Sequence, residues 1–134
     1  MTALQLIPIR IYYEDTDFSG LVYHASYLRF LERGRTEFLR AHGIKQTELF
    51  DEESGAPLTF VVRSMRIEFI KPARMDEELT VETAIAKIGG ASLEMAQRIL
   101  RGEETLVAAD VRVAAVVAGK ARRLPEAILE RLGR

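Results

Sequence analysis

Four consecutive segments in the second half of the chain alternate apolar and polar residues. They cover residues 58–70, 79–88, 92–101 and 106–118, and turn residues such as Gly89-Gly90 separate them. A period of two is typical of β-strands that bury one face, and two glycines between strands favour a hairpin. This succession of hairpins predicts an antiparallel sheet.

One stretch ahead of these strands has the periodicity of a long helix, from about Ala25 to His42. Its apolar and small residues recur at steps of four and three: Tyr27, Leu31, Gly34, Phe38 and Ala41. Gly43 is typical of the position just after a helix end. Gly34, inside the apolar stripe, would allow the helix to approach the sheet closely.

Shorter elements complete the pattern. Residues 6–14 are rich in β-branched and aromatic residues and predict a first strand. Residues 47–51 favour a helical turn, and Pro125 suits the first position of a short C-terminal helix. A helix with a single apolar stripe can be buried by a strongly curved sheet. We therefore expect an α+β fold in which five antiparallel strands surround one central helix.

Length and composition limit the possible functions. At 134 residues the chain has the size of one domain, and we expect a single domain over residues 1–134. The net charge of −1 argues against nucleic acid as a partner, since phosphate binding normally requires a basic face. The absence of cysteine excludes disulfides, thiolate metal sites and cysteine nucleophiles. Without a signal-peptide pattern or a long apolar segment, the expected location is the cytoplasm.

The segment EDTDFSGLVYH lies between the predicted first strand and the helix and concentrates polar, reactive side chains. Its D-x-D-x-S-G portion resembles the start of an EF-hand calcium loop. Such a loop needs a glutamate at its twelfth position, which is Ser26 here, and a helix where this chain has a strand. Asp15, Asp17 and His24 lack the histidine spacing of a transition-metal site. The sequence therefore predicts no metal centre.

Two interpretations of the segment remain open. Aspartate, serine and glycine are common turn residues, and carboxylates near a helix start interact favourably with its dipole, which is compatible with a purely structural connection. Alternatively, a carboxylate, a glycine that lets a ligand approach the backbone and a histidine at the helix start form a catalytic site. Unpaired N–H groups at the helix N-terminus would then bind an oxyanion.

The longer stretch YYEDTDFSGLVYHASYLRFLERGRTEFLR, residues 12–40, resembles the signature of the 4-hydroxybenzoyl-CoA thioesterase family of hotdog folds. Its portions YYEDTD, G-x-VYHASY and ER-x-RTE resemble in particular the bacterial acyl-CoA thioesterases associated with the Tol–Pal system. The resemblance continues through residues 60–79 and 89–99 and so covers most of the chain. It implies a hotdog fold, in which an antiparallel sheet wraps a long central helix, and a dimer with active sites at the subunit interface.

The resemblance also implies roles for individual residues. The second aspartate of the D-x-D pair, Asp17, matches the family's catalytic carboxylate, acting as a direct nucleophile or as a base for water. His24 matches a functional histidine of the subgroup, and its backbone amide matches the N–H group that polarises the substrate carbonyl. The remaining candidate substrate contacts, the last two for the CoA phosphates, are Gly20, Tyr23, Lys120 and Arg122.

Each assignment has a structural alternative. The side chain of His24 can cap the helix or fill the core, and the two cations after the last strand can belong to a solvated loop. Asp15 favours a turn rather than catalysis, and Glu32 on the helix is expected to be structural. For Tyr13 and Tyr23, burial in the core is the simpler expectation, with a place in the acyl cleft as the alternative.

The activity implied is hydrolysis of an acyl-CoA thioester to a free acid and CoA, with no metal or organic cofactor. A hotdog module that binds acyl groups or proteins without turnover is the main rival. A hotdog dehydratase is the third possibility, but its histidine-centred helix signature is absent from the sequence. The implied partners are acyl-CoA, further copies of the chain in a dimer or tetramer, and acyl carrier protein or proteins of the Tol–Pal and phospholipid-synthesis systems. Valine and isoleucine on both faces of several strands also favour cover by a second subunit.

Overall fold

A computed structural model describes residues 4–133 of the chain. The strands are β1 (Gln5–Arg10), β2 (Leu58–Phe69), β3 (Glu78–Ile88), β4 (Ser92–Arg101), β5 (Glu104–Val117) and β6 (Lys120–Ala121). The helices are α1 (Ser26–Ala41) and α2 (Glu126–Arg131), and single 3-10 turns cover Tyr13–Asp15 and Gln46–Glu48. Within the described residues, no helix is long and apolar enough to cross a membrane.

The strands form one antiparallel sheet in the order β1-β3-β4-β5-β2, and β6 pairs with the end of β5. The sheet curls around α1, which packs against β1 and β3. Fully buried side chains from the helix and the strands meet in the core, among them Phe30, Phe38, Leu79, Val81, Leu93 and Ile99. The predicted α+β fold is thus confirmed, and β6 adds a two-residue strand to the five predicted.

Gly34 lies where α1 comes closest to the sheet. A Cβ atom built at this position would be 2.6 Å from Cγ1 of Val81 and 2.8 Å from Oγ1 of Thr83, closer than side chains tolerate. The predicted close approach of helix and sheet is confirmed. Around this contact the buried side-chain amide of Gln97 donates hydrogen bonds to the carbonyl of Leu31 and to Thr83, both at 2.9 Å, which ties α1 to β3 and β4.

The ends of the helices follow the sequence signals. Gly43 has a positive φ of 75° and ends α1, and the amide of Ile44 turns back to the carbonyl of Leu39 at 2.9 Å. Pro125 directly precedes α2, so the helix begins one residue later than predicted.

The predicted first strand, residues 6–14, ends earlier than expected, at Arg10. The amide of Tyr12 donates a hydrogen bond to Oδ2 of Asp15 at 2.8 Å, and the amide of Asp15 returns one to the carbonyl of Tyr12 at 3.0 Å. These bonds curl the chain into the first 3-10 turn. Side-chain to backbone bonding of this kind competes with strand pairing, which β-propensity alone does not reveal.

The outer face of the sheet corrects another expectation. The central outward positions of β4 and β5 are charged residues and alanines: Glu94, Ala96, Arg98, Ala108, Asp110 and Arg112. The expectation of apolar residues on both faces is therefore wrong for the middle of the sheet. Exposed apolar side chains instead lie at the two edges of the sheet, Leu6 on β1 and, on β2 and just beyond it, Val61, Val62, Phe69 and Ile70. β2 is an edge strand whose free side has no partner strand among residues 4–133.

Candidate active site

The segment between the first 3-10 turn and α1 is a tight hairpin-like turn. Thr16 and Val22 form a β-bridge, and the amide of Asp17 donates to the carbonyl of Leu21 at 2.9 Å. The turn closes with a bond of 3.0 Å from the amide of Gly20 to the carbonyl of Asp17. Gly20 has a φ of 83°, which favours glycine, and a Cβ atom built there would meet no atom within 4 Å. The backbone at Gly20 is therefore open to a ligand.

The carboxylate of Asp17 lies on this turn, and Ser19 binds one of its two oxygens. Its Oδ1 accepts hydrogen bonds from the hydroxyl of Ser19 at 2.5 Å and from the amide of Ser19 at 2.8 Å. These bonds, the hydroxyl first, lower the pKa of Asp17 below its ordinary value, and the nearby charge of His24 lowers it further. Asp17 is thus ionised at neutral pH, and its Oδ2 atom has no hydrogen-bond partner in the described part of the chain.

His24 follows the turn, two residues before α1 begins. Its ring packs against Tyr23, with ring centroids 4.6 Å apart, and meets the edge of Phe69 on β2 at 6.0 Å. The side chain is exposed, and neither ring nitrogen bonds to another residue within the range 4–133. The imidazole is therefore open to a ligand that approaches this turn. Capping of the helix and burial in the core, the structural alternatives for this side chain, do not describe its position.

The start of α1 offers unpaired backbone donors. The amides of Tyr23 and Ser26 are bonded to backbone carbonyls, both at 2.8 Å, whereas those of His24 and Ala25 donate to no group in residues 4–133. Ala25 occupies the N-cap position and has no capping side chain. Two N–H groups at the positive end of the helix dipole are therefore free to bind a negatively charged oxygen.

Asp15, the other aspartate of the D-x-D pair, is structural. It is 6% exposed, its Oδ1 pairs with Arg29 at 2.8 Å, and its backbone carbonyl accepts from the hydroxyl of Ser26 at 3.1 Å. Its bonds to Arg29 and Ser26 therefore attach the turn to α1. Across residues 4–133, no cluster of three His, Asp or Glu side chains is arranged to hold a metal ion.

The aromatic residues near the site are exposed. The expectation of burial is wrong for Tyr13, which is 79% exposed, and for Tyr23, which is 46% exposed. Phe18, next to Asp17, is fully exposed. Sequence reasoning did not identify Phe69 as a neighbour of His24, because only the register of β2 in the sheet brings them together. Ser19 could have been found, since a serine two residues after an aspartate is a common turn partner.

The two predicted CoA-phosphate contacts lie at the other end of the sheet. Lys120 pairs with Val117, and β5 runs ten residues from there to Val107, which pairs with Phe69. At about 3.3 Å per residue, roughly 30 Å of strand separates Lys120 from the position of Phe69 beside His24. Arg122 also lies 3.7 Å from the carboxylate of Asp51. One chain therefore does not bring these cations to Asp17, and their role stays a prediction.

Comparison with known proteins assigns the chain to a family. The family described as the thioesterase superfamily matches residues 19–108. The chain belongs to the thioesterase superfamily. It is 46% identical to the acyl-CoA thioester hydrolase YbgC of Escherichia coli, over 96% of this chain and 95% of that protein. It is 44% identical to the acyl-CoA thioesterase YbgC of Haemophilus influenzae, over 84% of this chain and 81% of that one.

Solved structures of thioesterases share the fold of this chain. The crystal structure of a probable thioesterase from Bartonella henselae superposes with a TM-score of 0.87 at 50% identity, and the match covers 92% of this chain and all of that one. The hotdog fold expected from the motifs of residues 12–40 is thus confirmed for this member of the thioesterase superfamily.

Proposed function

We propose that the protein hydrolyses acyl-CoA thioesters to a free acid and CoA, with Asp17 as the catalytic carboxylate. The observation that carries the proposal is that an ionised carboxylate and two free backbone amides occur together in this segment. Asp17 is ionised with one oxygen unpaired, and the free amides of His24 and Ala25 lie at the start of the helix that follows its turn. The thioester hydrolases of Escherichia coli and Haemophilus influenzae, which match most of this chain, support the substrate class.

The chemistry of a thioester suits a site of this kind. The leaving group is a thiol with a pKa of about 8.5, like that of free cysteine, so it departs more readily than an amine or alkoxide. Asp17 attacks the carbonyl carbon directly, which expels the CoA thiolate and leaves a mixed anhydride that water then hydrolyses, or it accepts a proton from a water that attacks the carbonyl carbon. In both routes negative charge develops on the carbonyl oxygen. The amides of His24 and Ala25 stabilise that charge, and loss of one such donor in other enzymes costs roughly 10² to 10³ in rate.

The imidazole of His24 has a separate role in this proposal. Its exposed ring nitrogens are free to donate a proton to the departing thiolate, and its ring lies against Tyr23 and Phe69. Because the nearby His24 also lowers the pKa of Asp17, the two side chains act on each other before substrate binds. Gly20 and Tyr23 would contact the substrate at the open side of the turn.

We propose further that the active protein is a dimer at least, and a tetramer built from dimers. The free edge of β2 and its exposed apolar side chains support a second copy beside this strand. Antiparallel pairing of two β2 strands about a two-fold axis would bring the Leu58 end of one chain to the Phe69 end of the other. Lys120 and Arg122 would then approach the partner's Asp17 site, where the CoA phosphates of the substrate need cations.

The proposals on domain extent, cellular location and partners rest on the resemblance of residues 12–40 to the family's signature. We propose a single hotdog domain over residues 1–134, a cytoplasmic location, and acyl carrier protein or proteins of the Tol–Pal and phospholipid-synthesis systems as partners. The proposed substrates are short aliphatic, long aliphatic and aromatic acyl-CoAs, and a first survey compares all three classes.

A survey of thiol release separates this proposal from its two rivals. The protein is incubated with short, long and aromatic acyl-CoAs and with a 3-hydroxyacyl-CoA, and both free thiol and enoyl product are measured. We expect stoichiometric thiol and acid from at least one class, with no enoyl product. Enoyl product without thiol would establish a dehydratase, and saturable binding without turnover of CoA or carrier-protein esters would establish a binding module.

A further inference from the structure

Buried polar side chains occur at two places in this fold, and each place joins α1 to another part of the chain. Among residues 4–133 the buried residues with polar side chains are Asp15, Ser26, Thr83 and Gln97. Gln97 bonds to Thr83 and to the helix where α1 meets the sheet. Ser26 bonds to Asp15 where the helix begins. A buried polar group is costly unless it is hydrogen-bonded, so both pairs are expected to hold α1 where water does not reach.

The backbone carbonyl of Asp15 accepts two hydrogen bonds from the start of the helix. One comes from the amide of Tyr23 at 2.8 Å, and the other from the hydroxyl of Ser26 at 3.1 Å. The unpaired amides of His24 and Ala25 lie between these two donors in the sequence. The amide of Ser26 also closes the segment on the carbonyl of Tyr23, at 2.8 Å. Both ends of the segment with the free amides are therefore attached to one carbonyl group.

Asp15 is itself held in place, because its carboxylate is bonded on both oxygens. Oδ2 accepts the amide of Tyr12 and Oδ1 accepts Nη2 of Arg29, both at 2.8 Å. The carboxylate is the buried partner of this ion pair, whereas Arg29 is half exposed. Asp17 follows Asp15 by two residues, no more than roughly 7 Å along the chain. The position of the catalytic carboxylate and that of the free amides therefore depend on the same residue.

We propose that Asp15 and Ser26 are positioning residues of the thioester hydrolysis, an inference that rests on the proposed function. Neither side chain contacts the substrate. The two bonds to the carbonyl of Asp15 hold the free amides at a fixed separation from the carboxylate of Asp17. The attacking group and the amides act on the two atoms of one carbonyl bond, and a misplacement of about 1 Å can lower a rate roughly 100-fold.

Ser26→Ala tests the proposal, since it removes the hydroxyl and leaves the other groups of this connection in place. We expect kcat on acyl-CoA to fall by roughly 10- to 100-fold with KM nearly unchanged, because the bond supports contacts made in the transition state. The acid limb of kcat/KM against pH should not move, since the bonds of Ser19 that lower the pKa of Asp17 are untouched. Circular dichroism gives the folded fraction to which kcat is referred.

Thr83→Val is the matched control, because it removes a second buried hydroxyl from the hydrogen bonds that hold α1. Both variants should have a lower melting temperature than the original protein, but only Ser26→Ala should lose kcat. An unchanged kcat in Ser26→Ala, or an equal loss in Thr83→Val, would show that the hydroxyl of Ser26 only stabilises the fold and would overturn the proposal. A shifted acid limb in Ser26→Ala would overturn it too, because the hydroxyl would then act on the ionisation of Asp17.

Asp15→Asn tests the same connection from its other side. Asparagine keeps the size of the side chain and an acceptor for the amide of Tyr12, but it loses the ion pair with Arg29. We expect kcat to fall here as well. The double variant Asp15→Asn/Ser26→Ala should lose less than the product of the two single losses, because both changes weaken one connection. A loss equal to that product would contradict a shared positioning role.

Asp17→Asn, measured in parallel, separates this proposal from the proposed function. If the original protein hydrolyses acyl-CoA and Asp17→Asn does not, while Ser26→Ala keeps its full kcat, the function stands and the positioning role alone is overturned. If the original protein releases no thiol from any acyl-CoA, the function is overturned and the positioning role with it.

Discussion

Ser19 donates both of its hydrogen bonds to a single oxygen of Asp17, with the hydroxyl 2.5 Å and the amide 2.8 Å from Oδ1. Ser54 bonds in the same way to Oδ2 of Asp51 in a turn before β2, at 2.6 Å and 3.1 Å. In each pair the serine hydroxyl is the largest cause of a lowered aspartate pKa. Among residues 4–133 this local serine–aspartate bonding therefore occurs twice, and of the two pairs the one at Asp17 lies next to a histidine and the start of a long helix.

Removing the hydroxyl of Ser19 should change the pH dependence of the reaction. In Ser19→Ala the pKa of Asp17 rises toward its ordinary value, and a carboxylate must be ionised to attack or to accept a proton. As the solution is acidified, activity is then lost at a higher pH than in the original protein, while activity at neutral pH changes little. The acid limb of kcat/KM against pH measures this shift.

Ser54→Ala is the matched control for that experiment, since it removes the same kind of bond from Asp51 and leaves the turn of Asp17 intact. Its acid limb should coincide with that of the original protein. An unmoved limb in Ser19→Ala, or an equal shift in both variants, would show that the hydrogen bond does not tune the catalytic carboxylate.

Replacing His24 tests whether its imidazole protonates the departing thiolate. His24→Asn keeps the backbone amide but removes the proton donor, and general acid catalysis contributes typically about 10² to 10⁴. We expect kcat to fall within that range on acyl-CoA and to fall much less on a thiophenyl ester, whose thiol is more acidic and leaves unaided. Steady-state kinetics on both substrates provide the comparison.

His42→Asn serves as its control, because this histidine lies at the far end of α1 and bonds to the carbonyl of Phe38 at 2.8 Å. It should retain full activity. If kcat of His24→Asn fell by the same factor on both esters, the imidazole would instead orient water or Asp17. An unchanged kcat would show that the role of His24 is structural.

Gly34 should be intolerant of even the smallest side chain. Alanine raises helix propensity by about 1 kcal/mol, but its Cβ atom would lie 2.6 Å from Val81 Cγ1, and overpacking of this kind costs roughly 1–3 kcal/mol. We expect Gly34→Ala to lower the free energy of unfolding, measured by urea denaturation. The loss should be smaller in a Val81→Ala background, which removes the contacted atom. A Gly34→Ala protein that is more stable than the original would contradict the observed packing.

The elements that depend on local periodicity could be predicted from the sequence. The strands of the second half alternate with period two, and α1 repeats its apolar stripe at steps of three and four, so neither requires knowledge of distant contacts. The first strand is shorter than its β-propensity predicts, because the bond from the amide of Tyr12 to Asp15 ends the strand pairing. Propensity describes a residue in isolation, whereas this bond depends on a side chain three positions away.

The candidate site was predictable in part for the same reason. Asp17, Gly20, Tyr23 and His24 lie within eight consecutive positions, so a motif can identify them together. The contact between His24 and Phe69 depends on the strand register, and that between Arg35 and Gln97 on the packing of α1 against β4. Long-range pairs of this kind leave no trace in a single sequence. The exposure of Tyr13 and Tyr23 likewise depends on how the turn is oriented relative to the core, which composition does not determine.

The central claim is that Asp17 carries the hydrolysis of acyl-CoA thioesters. The most direct test compares kcat/KM of Asp17→Asn with that of the original protein on the best acyl-CoA, with Asp110→Asn on the outer face of the sheet as the control. Asparagine keeps the shape of the side chain and the acceptor for Ser19 but cannot serve as nucleophile or base. We predict a loss of at least about 10² in Asp17→Asn, with an unchanged melting temperature and a fully active control. An Asp17→Asn protein that folds normally and stays within a few-fold of the original rate would contradict the account.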